Sequence, residues 1–499
     1  MTERVDVAVV GAGFGGLACA LELAGRGARV ALFEQLRYPG GCASTFTRGG
    51  HRFESGATLF SGFGEGMLFD RWIREHRLDV EVEILDPTIE LRAPGLRLVT
   101  PPDRARFLAQ LTSLPGAPVE RLHAFFDEQR RVADALWSLF DDPSMLPPLG
   151  LRALGRHVGR LSHYLPLARL VGRTLASVLR RHGLDGFEPL RIWLDAVCQI
   201  TVQAGVREVE APFALGAMDY AFRGTGHVVG GVGELAWALA RRFAALGGQL
   251  RTSDGVRTLT REGNVWRVGA RRGEVLAERV VANLTPHALR RLLGRSTTAL
   301  DALARDVERG WGAAMHYLVL DPAKLPRATA FHLELIDDAD EAFVKGNHVF
   351  VSVSDAREDR GRGKRTATVS THVPMRELRA NADPGGYVAA IQARMSRTIE
   401  ARAPELHAAI ETDLTASPRT FERFTGRDHG YVGGIPRRAG LSAYRRLLPR
   451  AYLPGLYLVG DSVFPGQSTL ATALGGLRVA EVVAPRALPA LPPVSVHST

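Results

Sequence analysis

The apolar positions open the chain with a short continuous run, Val5-Asp6-Val7-Ala8-Val9-Val10, of the kind a buried parallel strand requires. A glycine-rich turn comes at once, Gly11-Ala12-Gly13-Phe14-Gly15-Gly16. Leu17, Leu21 and Ala24 then recur at helical spacing as far as Arg26. A second strand over 29–33 ends on an acid, Glu34. Downstream the period changes. Residues 80–100 alternate and break at Asp86-Pro87 and Ala93-Pro94-Gly95, as hairpin strands do. Residues 316–320, 330–335, 348–354 and 366–372 predict further strands of a mostly antiparallel sheet. The stretch 101–221 predicts helices, with breaks at Pro143, Pro147-Pro148 and Pro166. A turn and amphipathic helix over 226–248, a strand over 249–259, another over 279–283 and an apolar run over 455–460 complete the pattern.

These elements predict an α/β chain. A Rossmann-type dinucleotide-binding domain is discontinuous, over 1–75, 225–310 and 430–485. An antiparallel-sheet substrate domain takes 76–110 and 311–429, and a helical insert 111–224. Residues 486–499 carry prolines and no period, and predict a flexible tail.

The glycine spacing gives the first turn its chemistry. Gly11 permits a tight turn, Gly13 lets the backbone approach a pyrophosphate, and Gly16 lets the helix pack against the sheet. The helix start offers free N–H groups and partial positive charge to a phosphate. Glu34, 21 residues after Gly13, is placed to accept hydrogen bonds from a ribose diol and would repel a 2′-phosphate. Two segments farther along the chain distinguish FAD from NAD. Pro39-Gly40-Gly41-Cys42-Ala43-Ser44-Thr45 comes directly after the second strand, and Gly460-Asp461 closes an apolar strand near the other chain end. An acid at a strand's carboxyl end lies where open α/β sheets bind ligands, here for a ribityl hydroxyl. The run 466–476 then opens a helix toward the same place. A site built from both chain ends is typical of FAD-binding folds.

Taken together, these blocks resemble the FAD-dependent phytoene desaturase and carotenoid isomerase superfamily. The resemblance rests on the GAGFGG turn with Glu34, on 39–60, 226–259, 279–294, 351–373, 417–438 and 455–481, in that order along nearly the whole chain. It implies a cofactor set of Gly11, Gly13, Phe14, Gly16, Glu34, Gln35, Gly40, Gly41, Ser44, Val256, Asn283, Gly460, Asp461, Thr469 and Leu470. Within it Glu34 meets the adenosine ribose, the Val256 backbone the adenine, and Gly460 and Asp461 the ribityl-pyrophosphate stretch. Many relatives carry an acid in the register F-D-x-G. Here Glu54 stands there, and it is the one acid–base candidate. Arg427 and Asp428 are expected to form a structural ion pair.

The implied reaction is desaturation of an acyclic carotenoid, with hydride passing to the flavin, the neighbouring proton to a base or water, and a quinone or oxygen as the final acceptor. A cis-trans isomerase or polyene saturase is the alternative on the same fold, and a non-catalytic prenyl-lipid escort protein the alternative of another class. An amine oxidase would be expected to place a lysine at the flavin, and Lys324, Lys345 and Lys364 are the whole supply.

Composition changes this picture in one place. At 45% hydrophobic and 23% charged, the 499 residues are ordinary globular usage, which excludes wholesale disorder and fibrous repeats. Cys19, Cys42 and Cys198 are odd in number and far apart, with no metal spacing, as in a reducing cytoplasm. No nucleic-acid motif accounts for the net charge of +10. It is concentrated, however: 143–184 contain seven arginines and no acid, leaving a net +3 for all the rest. Arg152, Arg156 and Arg160 are four apart, on one face of a predicted helix, with Tyr164, Arg169 and Arg173 coming after them among many leucines. A basic amphipathic insert predicts peripheral docking on the cytoplasmic membrane, with no spanning segment.

Overall fold

The computed structural model describes residues 2–147, 149–359, 361–444 and 446–484. The predicted tail lies outside the described residues. Two large sheets organise the chain. The first is the nucleotide-binding sheet, in which strand Glu3–Val10 is central, flanked in parallel by Val30–Phe33 on one side and Gly273–Ala282 on the other. Gln249–Arg251 extends it beyond Val30–Phe33, and Leu456–Leu458 joins the Gly273–Ala282 strand in parallel near its carboxyl end. Helices Phe14–Gly25, Val232–Ala245 and Thr469–Val483 cover one face. They pack closely because Gly16 and Gly476 have no side chain: a Cβ at Gly16 would collide with the Gly11 carbonyl, and one at Gly476 with the Gly15 carbonyl.

The second sheet has seven strands in the order Ile410–Ala416, Trp311–Leu320, Arg365–Pro374, His348–Val353, Phe331–Ile336, Ile89–Ala93, Leu96–Thr100. All its pairings are antiparallel except that of Phe331–Ile336 with Ile89–Ala93. One face buries Leu318, Leu333, Val351 and Val369 under helix Pro384–Arg402. The other turns toward the nucleotide-binding sheet and the helical insert.

Several local expectations are corrected. The strand predicted over 249–259 is two strands, Gln249–Arg251 and Val256–Glu262, separated by a turn in which Ser253 has φ +53°. The edge strand Ile410–Ala416 is not among the predicted strands, because its alternation is masked by exposed charge at Glu411 and Asp413. Pro166 does not break a helix but sits inside Leu161–Ala168, which is too short to lose more than one bond to it. The helix expected to carry Arg152, Arg156 and Arg160 on one face ends at Gly159, and Arg160 is the junction to the next. Glycine at that point is a poor helix former.

Candidate functional site

The glycine turn leaves strand Glu3–Val10 at its carboxyl end. Gly11 adopts φ +98°, a conformation that disfavours any Cβ. A Cβ there would stand 2.7 Å from the Asn283 carbonyl oxygen, one at Gly13 2.5 Å from Asn283 Nδ2, and one at Gly460 2.9 Å from Asn283 Oδ1. Three glycines from the two ends of the chain thus enclose one amide. Gly13 caps helix Phe14–Gly25 without a side chain, so the first N–H groups of that helix are left for a ligand.

Glu34 is buried and accepts the Ala12 N–H at 2.8 Å and the Leu36 N–H at 2.9 Å. Burial raises its pKa, against the pull of those donors. Two N–H bonds leave carboxylate lone pairs for a diol. Asp461 is ion-paired with Arg427 at 2.6 Å. Arg427 also lies near the half-buried Cys42, whose thiol pKa is raised by burial first. Thr469 opens helix Thr469–Val483, and its buried Oγ1 has no partner.

Twelve of the fifteen residues expected at the cofactor line one continuous cavity: Gly11, Gly13, Phe14, Glu34, Gln35, Gly40, Gly41, Val256, Asn283, Gly460, Asp461 and Thr469. The other three support it from outside the lining. Gly16 sits where the helix crosses the turn, Ser44 Oγ bonds the Gly41 carbonyl and Ser55 Oγ, each at 2.8 Å, and Leu470 packs in the core beside Gly62. A ring of bare backbone, a free helix start, a buried diol acceptor and an orphaned hydroxyl make a donor and acceptor set that fits FAD.

Glu54 is a correction. It is absent from the cavity lining. Its carboxylate accepts from Val232 N–H at 2.8 Å and Thr45 Oγ1 at 3.0 Å, at the start of helix Val232–Ala245. Burial pushes its pKa up to about 7, while Val232 and His227 pull it back. Its carboxyl anchors the start of a helix, outside the cavity lining. Arg427 and Asp428 do not pair with each other either: Arg427 holds Asp461, and Asp428 holds Arg291.

The opposite wall is not legible in the sequence pattern. It is formed by Ala313, Met315, Phe350, Ser370 and His372 of the second sheet, with Ile200, Tyr220 and Phe421 beside them. Strand alternation shows that these positions share a face. Which face meets the cavity is decided by the chain's tertiary course. Burial holds the His372 pKa down near 4, so it is neutral.

The NAD(P)-binding Rossmann-like domain family matches residues 9–75. Over 97% of this chain the sequence is 25% identical to the prolycopene isomerase of Daucus carota, covering 80% of that protein. It is 26% identical, again over 97%, to the neurosporene-forming phytoene desaturase of Rhodobacter capsulatus, covering 94% of it. The chain fits the carotenoid desaturase and isomerase superfamily of flavoproteins. Its cofactor is FAD, and it is an oxidoreductase, which sets aside the flavin-free escort. The flavoprotein shares its fold with an oxidoreductase from Methanosarcina mazei (TM-score 0.63, 17% identity, 95% of this chain and 100% of that one). The same holds for putrescine oxidase bound to putrescine (TM-score 0.62, 17% identity, 97% and 99%). None of the flavoprotein's three lysines lines the cavity: Lys324 donates to the Ala408 carbonyl, Lys345 to Glu377 and Lys364 to Glu411.

The insert turns its apolar side outward. Leu151, Leu154, Val158, Leu161 and Leu165 are all more than half exposed, Leu151 by 89%. Arg160, Arg169 and Arg173 are exposed around them, Arg156 pairs with Asp142 at 2.7 Å, and Tyr164 OH meets His157 Nδ1 at 3.0 Å. The Arg152 side chain lies outside the described residues. Among the described residues no helix is long and apolar enough to cross a membrane.

Proposed function

We propose that this flavoprotein is a carotenoid desaturase that removes hydrogens from an acyclic carotenoid. The observation that carries the reading is the apolar wall of Ala313, Met315, Phe350 and Phe421 facing the glycine cradle across one cavity. FAD, when bound, supplies a hydride acceptor. Gly11, Gly13 and Gly460 would admit its pyrophosphate stretch, Glu34 its ribose, and Asp461 its ribityl chain. The apolar wall orients the polyene and excludes water. Its one histidine is held neutral by burial, so the wall offers no strong acid or base. That absence of a charged catalyst suits chemistry in which the protein positions and the cofactor reacts.

A second reading has its own support, because prolycopene isomerases match as much of the chain as the desaturase does. The human all-trans-retinol 13,14-reductase is also similar, at 23% identity over 93% of the chain. Expression in hosts that accumulate phytoene or lycopene, with pigment masses measured, separates the readings. Desaturation removes two hydrogens per step, isomerisation leaves the mass unchanged, and saturation adds two. No pigment change in either host would overturn the proposal. Reoxidation by a quinone or by oxygen completes the cycle.

The same proposal places the enzyme on the cytoplasmic face of an anionic bilayer. Five outward leucine and valine side chains set among arginines, in a stretch without acids, suit insertion into a charged interface. Changing Leu154, Val158 and Leu161 to Ser should cut binding to phosphatidylglycerol vesicles at least tenfold and leave FAD content unchanged. Undiminished binding would refute the surface.

A further inference from the structure

The sheet face that forms the apolar wall does not stay apolar. Phe350 lines the cavity, and its cross-strand partner is Glu334. By alternation, His332 and Ser352 form the next pair on that face, and Ile336 and His348 the pair on the other side. Glu334 is fully buried, and neither of its carboxyl oxygens has a partner. His332 and His348 are buried as well, each with an unpartnered Nε2. Buried polar atoms are almost always paired, because an orphan loses its bond to water and gains nothing in return. Three such groups in adjacent rows of one sheet face call for a partner from outside the chain.

The protonation states of two of them define that partner. Glu334 is pushed up to about 8 by burial, so near neutral pH it is mostly a carboxylic acid with an O–H to give. His332 is driven down to about 3, first by burial, and is neutral. Ser352 donates to Thr58 Oγ1 at 2.6 Å, so it accepts from His332 Nδ1 at 2.7 Å. The proton therefore sits on Nδ1, and Nε2 is a bare acceptor. One donor and one acceptor side by side match a hydroxyl, which takes a hydrogen bond on oxygen and gives one from hydrogen.

The place adjoins the cavity, directly behind its lining. His332 stacks on Phe350 at 5.6 Å, and Thr58 and Phe350 both line the cavity wall. The Cys198 thiol, whose pKa is raised first by burial and then by Asp195, also feels Glu334, which lies near it. Cys198 belongs to helix Glu188–Thr201, whose last residues Ile200 and Thr201 line the cavity. Glu334 thus occupies the wedge between the sheet and that helix, at the end of the apolar stretch.

We infer that this wedge binds the hydroxylated end of a polyene, with Glu334 donating to the hydroxyl oxygen and His332 Nε2 accepting its proton. This rests on the reading of the enzyme as acting on a long polyene, and it restricts the substrate to one bearing a terminal oxygen. A pure hydrocarbon would leave all three groups unpaired. A site built for a hydroxyl discriminates strongly against the analogue lacking it.

The test compares two probes on the FAD-loaded protein in detergent: lycopene, and the same chain with a terminal hydroxyl. Binding is followed by quenching of tryptophan fluorescence. The wild type should bind the hydroxylated chain at least about tenfold more tightly. Glu334→Leu should bring the two affinities within about twofold, and His332→Phe should do the same if Glu334→Leu fails to fold. Glu334→Gln, which keeps a donor, should retain the preference. Equal affinities in the wild type, or a preference that survives both Glu334→Leu and His332→Phe, would overturn the inference and leave the desaturase reading intact. If neither probe binds while flavin content is full, the polyene reading itself falls, and this inference with it.

Discussion

The two walls of the cavity meet their ligands in different ways. The nucleotide-binding wall presents backbone: Gly11, Gly13 and Gly460 around Asn283, and an uncapped helix start. The substrate wall presents side chains, drawn from strands 313–315, 332–334, 348–350 and 370–372 and aligned only by register. Backbone recognition needs close approach and tolerates no added atom. Side-chain recognition tolerates exchange, and changes specificity when it is exchanged. The first wall should therefore fail abruptly under substitution and the second by degrees.

The largest effect is expected at the turn. Gly11→Val places branched carbon against the Asn283 carbonyl at a φ of +98°, and purified protein should lose its flavin absorbance altogether. Stoichiometric flavin in that variant would break the contrast. Next comes Asp461→Asn, which leaves the Arg427 guanidinium half-enclosed without its 2.6 Å partner. A loss of about 3 kcal/mol in stability is expected, read as a lower Tm, with weaker FAD retention on dilution.

The substrate wall sharpens the contrast through pH. The folded pKa of Glu334, about 8, lies above its unfolded value, so the protonated form is favoured by folding. Its contribution is fully present below about pH 4.5 and is lost as pH rises toward 8, on the order of a few kcal/mol. Glu334→Leu should flatten that decline, so its Tm should gain on the wild type from pH 5 to pH 8. A parallel pair of Tm curves would contradict the buried acid. The smallest effect belongs to Glu54→Gln. Its carboxylate holds a helix start, so about 1 kcal/mol of stability should go, with turnover changed less than threefold. A hundredfold loss of turnover would return Glu54 to the chemistry.

The same division explains what could be read from the chain. Strand, glycine turn, helix and Glu34 all fall within 34 consecutive residues, so spacing alone exposes them. The Gly460-Asp461 strand end is equally local. Glu334, His332 and His348 are not legible in this way, because an acid or histidine inside a strand looks the same whether it faces solvent or a core. Only the pairing of Phe331–Ile336 with Ile89–Ala93 and His348–Val353 puts them indoors. Spacing places Gly13 at the turn but gives only part of the reason for it, since the missing Cβ also makes room for an amide 270 residues away. The insert's charge can be counted along the chain, but the outward turn of its leucines cannot, because a leucine stripe marks a core as readily as an interface.

The enclosure of Asn283 by glycines from both chain ends also sets a clock on biosynthesis. Gly11 and Gly13 leave the ribosome together, whereas Gly460 emerges about 450 residues later. At roughly 5–20 residues per second, the nascent turn waits tens of seconds for its counterpart. The cradle cannot close around FAD before Gly460 has been made. Flavin capture is therefore a late event in maturation, and a ribosome-stalled chain ending before 456 should emerge without it.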